Sequence, residues 1–216
     1  MTDNFDTLLF DLDGTLTDST EGIVRCLEYA LERMGFDIPE DKIKFLGPPL
    51  YRSFAEFCGM NEEQVNEAVR IFRERYSTVG LFENRVYEGV PEMLKRLRDG
   101  GKRIMVATSK PEVYAVRIFD RFGLSQFFEI VGGANINGTR NDKDEVIKYV
   151  LEKAGISDRS SVLMIGDRRQ DVIGAHKTGL KCMGILWGFG SIEELTEAGA
   201  DFIAETPEKA ADMLLQ

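Results

Sequence analysis

Two carboxylates separated by one residue close an apolar run near the start of the chain, in Thr7-Leu8-Leu9-Phe10-Asp11-Leu12-Asp13-Gly14-Thr15-Leu16-Thr17-Asp18-Ser19. Residues 7–10 read as a short buried strand. Side chains alternate along a strand, so Asp11 and Asp13 share a face while Phe10 and Leu12 take the other. Acids this close repel each other unless a cation lies between them or one keeps a proton. With Mg²⁺, one carboxylate can be ligand and nucleophile while its neighbour moves protons. The alternative is a polar strand end, since Asp and Gly are common in turns. A second pair, Asp167 and Asp171, stands four residues apart where a strand over 161–165 gives way to a helix. That spacing puts both carboxylates on one side of the turn. Its alternative is a helix N-terminus stabilised by acids, worth up to about 1 kcal/mol each.

The elements that must position these groups follow from periodicity. After the first acids the period becomes helical, with Ile23, Leu27, Ala30, Leu31 and Met34 on one face. Asp18 and Glu21 form a candidate capping box, and Gly35 is a stop. Pro39 opens a short helix that breaks at Gly47-Pro48-Pro49. Residues 50–57 are helical by composition, and Val65, Val69, Phe72 and Tyr76 stripe another helix. Residues 16–88 thus read as helices without a strand, an insertion.

From Val90 onward helices and strands alternate. Helices are expected from Pro91, over 111–122 and under the stripe Val146, Ile147, Val150, Leu151 and Ala154; strands are expected over 103–107, 128–131, 161–165, 181–186 and 201–204. Such alternation predicts a doubly wound parallel sheet with helices on both faces, an α/β core. Residues 1–16 and 89–216 are assigned to that core and 17–88 to the insertion. Gly188-Phe189-Gly190-Ser191 mimics part of a dinucleotide fingerprint but lacks its third Gly, so it reads as a plain connection ending at a Ser191 cap.

The string Phe10-Asp11-Leu12-Asp13-Gly14-Thr15-Leu16 with Asp18-Ser19 resembles the first motif of the haloacid dehalogenase superfamily, in the D-x-D form of its phosphatase and phosphotransferase members. Thr108-Ser109-Lys110-Pro111, Lys143 and Gly166-Asp167-Arg168-Arg169-Gln170-Asp171 resemble the remaining motifs in order. The resemblance implies a Rossmann-like core with an α-helical cap that closes over the site, as in phosphoglycolate-phosphatase-like members. It implies that Asp11 attacks phosphorus to give an aspartyl phosphate and that Asp13 protonates the leaving alcohol and then activates water. Thr108, with backbone near Ser109, would bind the phosphoryl group, unless Thr108 simply caps the next helix. Lys143 is chosen as the partner cation over Lys110 and Arg140, although many relatives have Lys followed by Pro where this chain has Lys143-Asp144. Mg²⁺ would be held by Asp11, the Asp13 carbonyl and Asp167, with Asp171 orienting Lys143 or a metal-bound water. Arg52 and Arg25 are candidate cap contacts for an anionic substrate, against the reading of ordinary helix-surface arginines. Arg168 and Arg169 read as solvated. A 5′-nucleotidase is the alternative within the class, with Phe45, Phe54 and Phe57 able to stack a base or to form core. A sugar-phosphate mutase is disfavoured because Ile23 stands where such mutases carry a cap His. A non-catalytic interaction protein is the reading outside the class.

Bulk properties set the remaining expectations. The 216 residues are 43% hydrophobic, enough for a substantial core. A net charge of −10 argues against nucleic acid, whose phosphate backbone needs a basic stripe, leaving a small phosphorylated metabolite as the expected partner. There is no apolar run of membrane-spanning length and no signal-like start, so a cytoplasmic monomer or homodimer is expected. Cys26, Cys58 and Cys182 read as reduced packing residues. The single His176 excludes a His-rich metal site and reads as a polar helix residue. The absence of G-x-S-x-G argues against a Ser-His-Asp hydrolase.

Overall fold

A computed structural model describes residues 4–136 and 139–216. The chain divides into two compact units: one holds Met1–Thr17 and Val86–Gln216, the other Asp18–Arg85.

The larger unit is built on a six-stranded parallel sheet of β1 (Thr7–Phe10), β4 (Arg103–Pro111), β5 (Ile130–Ala134), β6 (Val162–Gly166), β7 (Lys181–Ile185) and β8 (Phe202–Ala204), in the order β5-β4-β1-β6-β7-β8. Its helices are α4 (Val90–Asp99), α5 (Glu112–Phe122), α6 (Lys143–Lys153), α7 (Arg169–Lys177), α8 (Ile192–Glu197) and α9 (Pro207–Leu214). The central strands are apolar throughout because both faces are covered. In register, Leu9 lies beside Met105 and Met164. These three pack with Val146, Ile147 and Val150 of α6 and Val172 of α7. The alternate residues Leu8, Phe10, Ile104, Val106, Leu163 and Ile165, all buried, take the opposite face.

The expected strand over 103–107 runs on to Pro111, with a register shift between Thr108 and Pro111. Such an irregularity re-aims side chains at a strand end.

The smaller unit contains α1 (Thr20–Met34), α2 (Leu50–Cys58) and α3 (Glu62–Tyr76), with single 3₁₀ turns at Ile43–Phe45 and Gly80–Phe82. Leu27, Ala30, Leu31, Phe45, Phe54, Val65, Ala68, Val69 and Phe72 are among its buried core residues. Asn61 and Gln64 form a reciprocal capping box on α3.

Three sequence expectations fail here. The helix from Pro39 is only the 3₁₀ turn at Ile43–Phe45, because Pro48-Pro49 bars helical backbone just ahead of it and too few residues remain for a nucleus. The Asp18–Glu21 capping box does not form: the Asp18 carboxylate accepts from the Thr20 N–H at 3.0 Å and binds Arg85 at 2.7 Å, and Ser19 occupies the N-cap. The interval also holds two-residue strands, β2 (Thr17–Asp18) and β3 (Arg85–Val86), paired where the chain leaves and re-enters the core unit. No helix among the described residues is long and apolar enough to cross a membrane.

Candidate active site

Strand alternation carries Asp11 to the face already occupied by Leu9, the face covered by α6 and α7. The Asp11 N–H continues the ladder by donating to the Ile165 carbonyl at 2.9 Å. Its carboxylate therefore meets what those two helices supply at their first turns. Lys143, the first residue of α6, places Nζ 2.8 Å from Asp11 and 2.7 Å from Asp171. The same ammonium donates to the Ala107 carbonyl at 3.0 Å, so it is held between one carbonyl and two carboxylates. Lys143 is thus the cation against Asp11. Arg140 lies elsewhere, over the Tyr149 ring and bonded to the Gly133 carbonyl and Glu112. Lys110, the other alternative, pairs with Asp13.

Asp11, Asp167 and Asp171 each offer a carboxylate oxygen, all within 4.8 Å of one another. The Asp13 carboxylate is not one of the three and turns to Lys110. All three acids are buried. Burial, reinforced by Asp171 and Asp11, pushes the Asp167 carboxyl well above the usual range, against bonds from the Phe189 N–H and the Thr15 hydroxyl. Burial likewise raises Asp171, which Lys143 opposes. Burial pulls the Lys143 ammonium the other way, but Asp11 and Asp171 outweigh it and leave it raised. Three buried carboxylates facing one ammonium leave an excess of two negative charges, which a divalent cation would neutralise. The donors are all oxygen, the set that suits a hard ion such as Mg²⁺ and not zinc or copper. The residues therefore fit the metal.

The turn after β1 brings Gly14 against Asp167. At Gly14 φ is +84°, and a Cβ there would stand 2.2 Å from Asp167 Oδ2. Only glycine permits both the backbone conformation and the approach. Thr108 is 2% exposed, and its hydroxyl accepts from the Lys110 N–H at 3.2 Å. The alternative of a helix cap falls away, because Pro111 is the N-cap of α5 and no side chain caps it. Ser109 is half-buried beside Thr108.

Arg52 is exposed on α2 and pairs with Glu56 at 2.7 Å, while Arg25 bonds Glu83 and Glu21. Phe45 and Phe54 are buried edge to face, and Phe45 packs similarly on Phe57. The first two are core and cannot stack a base. Arg168, read as solvated, pairs with Glu194 at 2.9 Å. His176 is a polar residue of α7 bonded to Asp201. Ser191 caps α8 as expected. The preceding Gly188–Gly190 stretch does more than connect, since the Phe189 N–H donates to Asp167 Oδ2 at 2.8 Å. Neither that contact nor the Thr15 hydroxyl on Asp167 Oδ1 at 3.1 Å was expected from sequence. The glycine pair was the available signal.

A sequence profile of the haloacid dehalogenase-like hydrolases matches residues 8–185. A 5′-nucleotidase of Pseudomonas aeruginosa is 44% identical over 190 residues, which are 87% of this chain and 86% of that protein. The tyrosine-protein kinase PtkA of Mycobacterium tuberculosis is 37% identical, over 92% of this chain and 65% of its own length. The crystal structure of a predicted phosphatase from Clostridium acetobutylicum superposes with a TM-score of 0.93 at 40% identity, covering 98% of this chain and 99% of that one.

Proposed function

The chain belongs to the haloacid dehalogenase-like hydrolases and is a phosphoric monoester hydrolase, and from that premise we propose a Mg²⁺-dependent phosphatase that works through an aspartyl phosphate on Asp11. The observation that carries this reading is the buried triad of Asp11, Asp167 and Asp171 with the Lys143 ammonium against two of its members. Mg²⁺ held by Asp11, the Asp13 carbonyl and Asp167, with Asp171 orienting Lys143, would supply charge compensation on the phosphoryl oxygens.

The residues divide the chemistry as follows. An oxygen of Asp11 attacks phosphorus in line, and the bond from phosphorus to the ester oxygen breaks. Asp13 gives its proton to that oxygen as the alcohol departs. Water then attacks phosphorus, Asp13 takes its proton, and the bond to Asp11 breaks to restore the carboxylate. Asp13 thereby regains in the second half what it lost in the first. Lys143 fixes Asp11 and offsets its charge, so the nucleophile approaches an anionic phosphoryl group without full repulsion. Thr108 and the backbone at Ser109 bind phosphoryl oxygens. Lys110 holds the Asp13 carboxyl.

For the leaving group, the 44% identical 5′-nucleotidase supports a nucleoside monophosphate ahead of phosphoglycolate, the expectation drawn from the cap. The test is phosphate release from nucleoside monophosphates, phosphoglycolate, sugar phosphates and pyrophosphate, with Mg²⁺ and with EDTA. No release from any of them in Mg²⁺ would sink the reading. The mycobacterial relative favours a second reading, phosphoryl transfer to protein tyrosine. That reading predicts ATP-dependent tyrosine labelling in place of phosphate release.

A further inference from the structure

We propose that Trp187 and Thr15 are positioning residues that clamp Asp167 in its metal-ligating orientation. This rests on the metal reading above and adds to it the means by which one ligand is aimed. The indole N–H of Trp187 donates to the Thr15 carbonyl at 2.9 Å, tying the stretch after β7 to the turn after β1. Two residues on, the Phe189 N–H reaches Asp167 Oδ2 at 2.8 Å, while the Thr15 hydroxyl takes Asp167 Oδ1 at 3.1 Å. Each carboxylate oxygen thus accepts one bond, which fixes the plane of the group and leaves a lone pair on each oxygen for a cation.

The segment has no slack. A Cβ at Gly188 would stand 2.2 Å from the Gly14 carbonyl oxygen and 2.5 Å from Asp167 Cβ, and one at Gly190 would stand 1.8 Å from the Asp167 carbonyl oxygen. Two glycines therefore let the backbone lie directly on Asp167, and the indole between the sheet and that contact anchors it. The indole N–H of Trp187 is bonded to Thr15 and not to Asp167, so its action is through Phe189 and Thr15.

The chain has one tryptophan, which makes the clamp its own reporter. Mg²⁺ titration of the wild-type protein should change tryptophan emission, saturating at the Kd measured by calorimetry, and Asp167→Asn should abolish the change. Emission that stays flat while calorimetry registers Mg²⁺ binding would overturn the clamp. Trp187→Phe keeps an aromatic ring and removes the donor; it should weaken Mg²⁺ affinity by about 10-fold, as loss of a bond that orients a ligand does. Its kcat at saturating Mg²⁺ should stay within about twofold of wild type, so that the effect lies in the metal requirement. Thr15→Val should weaken Mg²⁺ binding similarly and Thr15→Ser should restore it. A Trp187→Phe protein that melts lower yet binds Mg²⁺ with wild-type Kd would reduce Trp187 to packing. Wild-type protein that binds no Mg²⁺ by calorimetry would overturn the metal reading and the clamp together, an outcome distinct from failure of the clamp alone.

Discussion

Lys143 and Asp11 meet at 2.8 Å in the interior, one at the first turn of α6 and the other just beyond β1. The side chain of Lys143 is only 4% exposed and Asp171 lies 2.7 Å away on its other side. A buried ammonium in that position is a structural keystone as well as an electrostatic one.

Replacing it by an isosteric apolar residue should therefore unfold the site before it alters the chemistry. Lys143→Met leaves Asp11 and Asp171 facing each other without compensation, a loss of about 3–5 kcal/mol for removing one partner of a buried pair. Urea denaturation in EDTA should register that loss and Mg²⁺ should recover part of it. A variant as stable as wild type in EDTA would contradict this account.

Asp11→Asn keeps the shape of the side chain and removes the oxygen anion proposed as nucleophile. Phosphate release should fall to background while circular dichroism and the melting transition remain cooperative. Substantial turnover by Asp11→Asn would remove Asp11 from the nucleophile's role.

Without metal, the excess negative charge around Asp167 is a cost, since burial and its neighbours already oppose its ionisation. Asp167→Asn removes that cost and can still bond the Thr15 hydroxyl and the Phe189 N–H by turning its amide. In EDTA it should melt a few degrees higher than wild type, with roughly 2–4 °C for each kcal/mol in a chain of this size. Added Mg²⁺ at about 100 times its Kd should stabilise wild type by about 2.7 kcal/mol and the variant hardly at all. Equal Mg²⁺ shifts in the two proteins would exclude Asp167 as a ligand.

In the helical unit, two bonds from Arg75 and one from Arg25 hold the Glu83 carboxyl down at about 2, from an ordinary 4.5. A carboxylate whose pKa folding lowers contributes its full stabilisation above pH 4.5, and that contribution is lost as the pH falls toward 2. Glu83→Gln should cost about 1.5–3 kcal/mol at pH 7, the range for bonds to a charged group, and much less at pH 2. Chemical denaturation of both proteins across that interval measures it; a gap that does not narrow would assign the loss to packing.

Much of this architecture is legible in the sequence. The apolar runs at 7–10, 103–107 and 161–165 could be recognised as interior strands because both faces of a parallel sheet demand it. Their ends then located Asp11, Thr108 and Asp167. Lys143 was distinguishable from Lys110 and Arg140 by its place ahead of a helix. What remained hidden depends on which distant groups meet. Arg168 carries no local mark that it will find Glu194, nor does Lys110 that it will find Asp13. The Thr108 hydroxyl turned out to bond its own strand because the register shift, invisible to a period of two, bends the chain there. Asp18 likewise looked like a helix cap and is instead committed to Arg85.

Phe10 stands in register between Val106 on one flank and Ile165 on the other. The backbone of Asp11 one residue later is consequently set by main-chain rungs, with Lys143 holding its carboxylate, and not by the particular apolar side chains packed beneath it. Sequence drift in the surrounding hydrophobic layer can proceed far, through volume-conserving exchanges, before that oxygen loses its bearing. A protein engineer could accordingly repack the interior for thermal tolerance while treating the bond-making geometry as given.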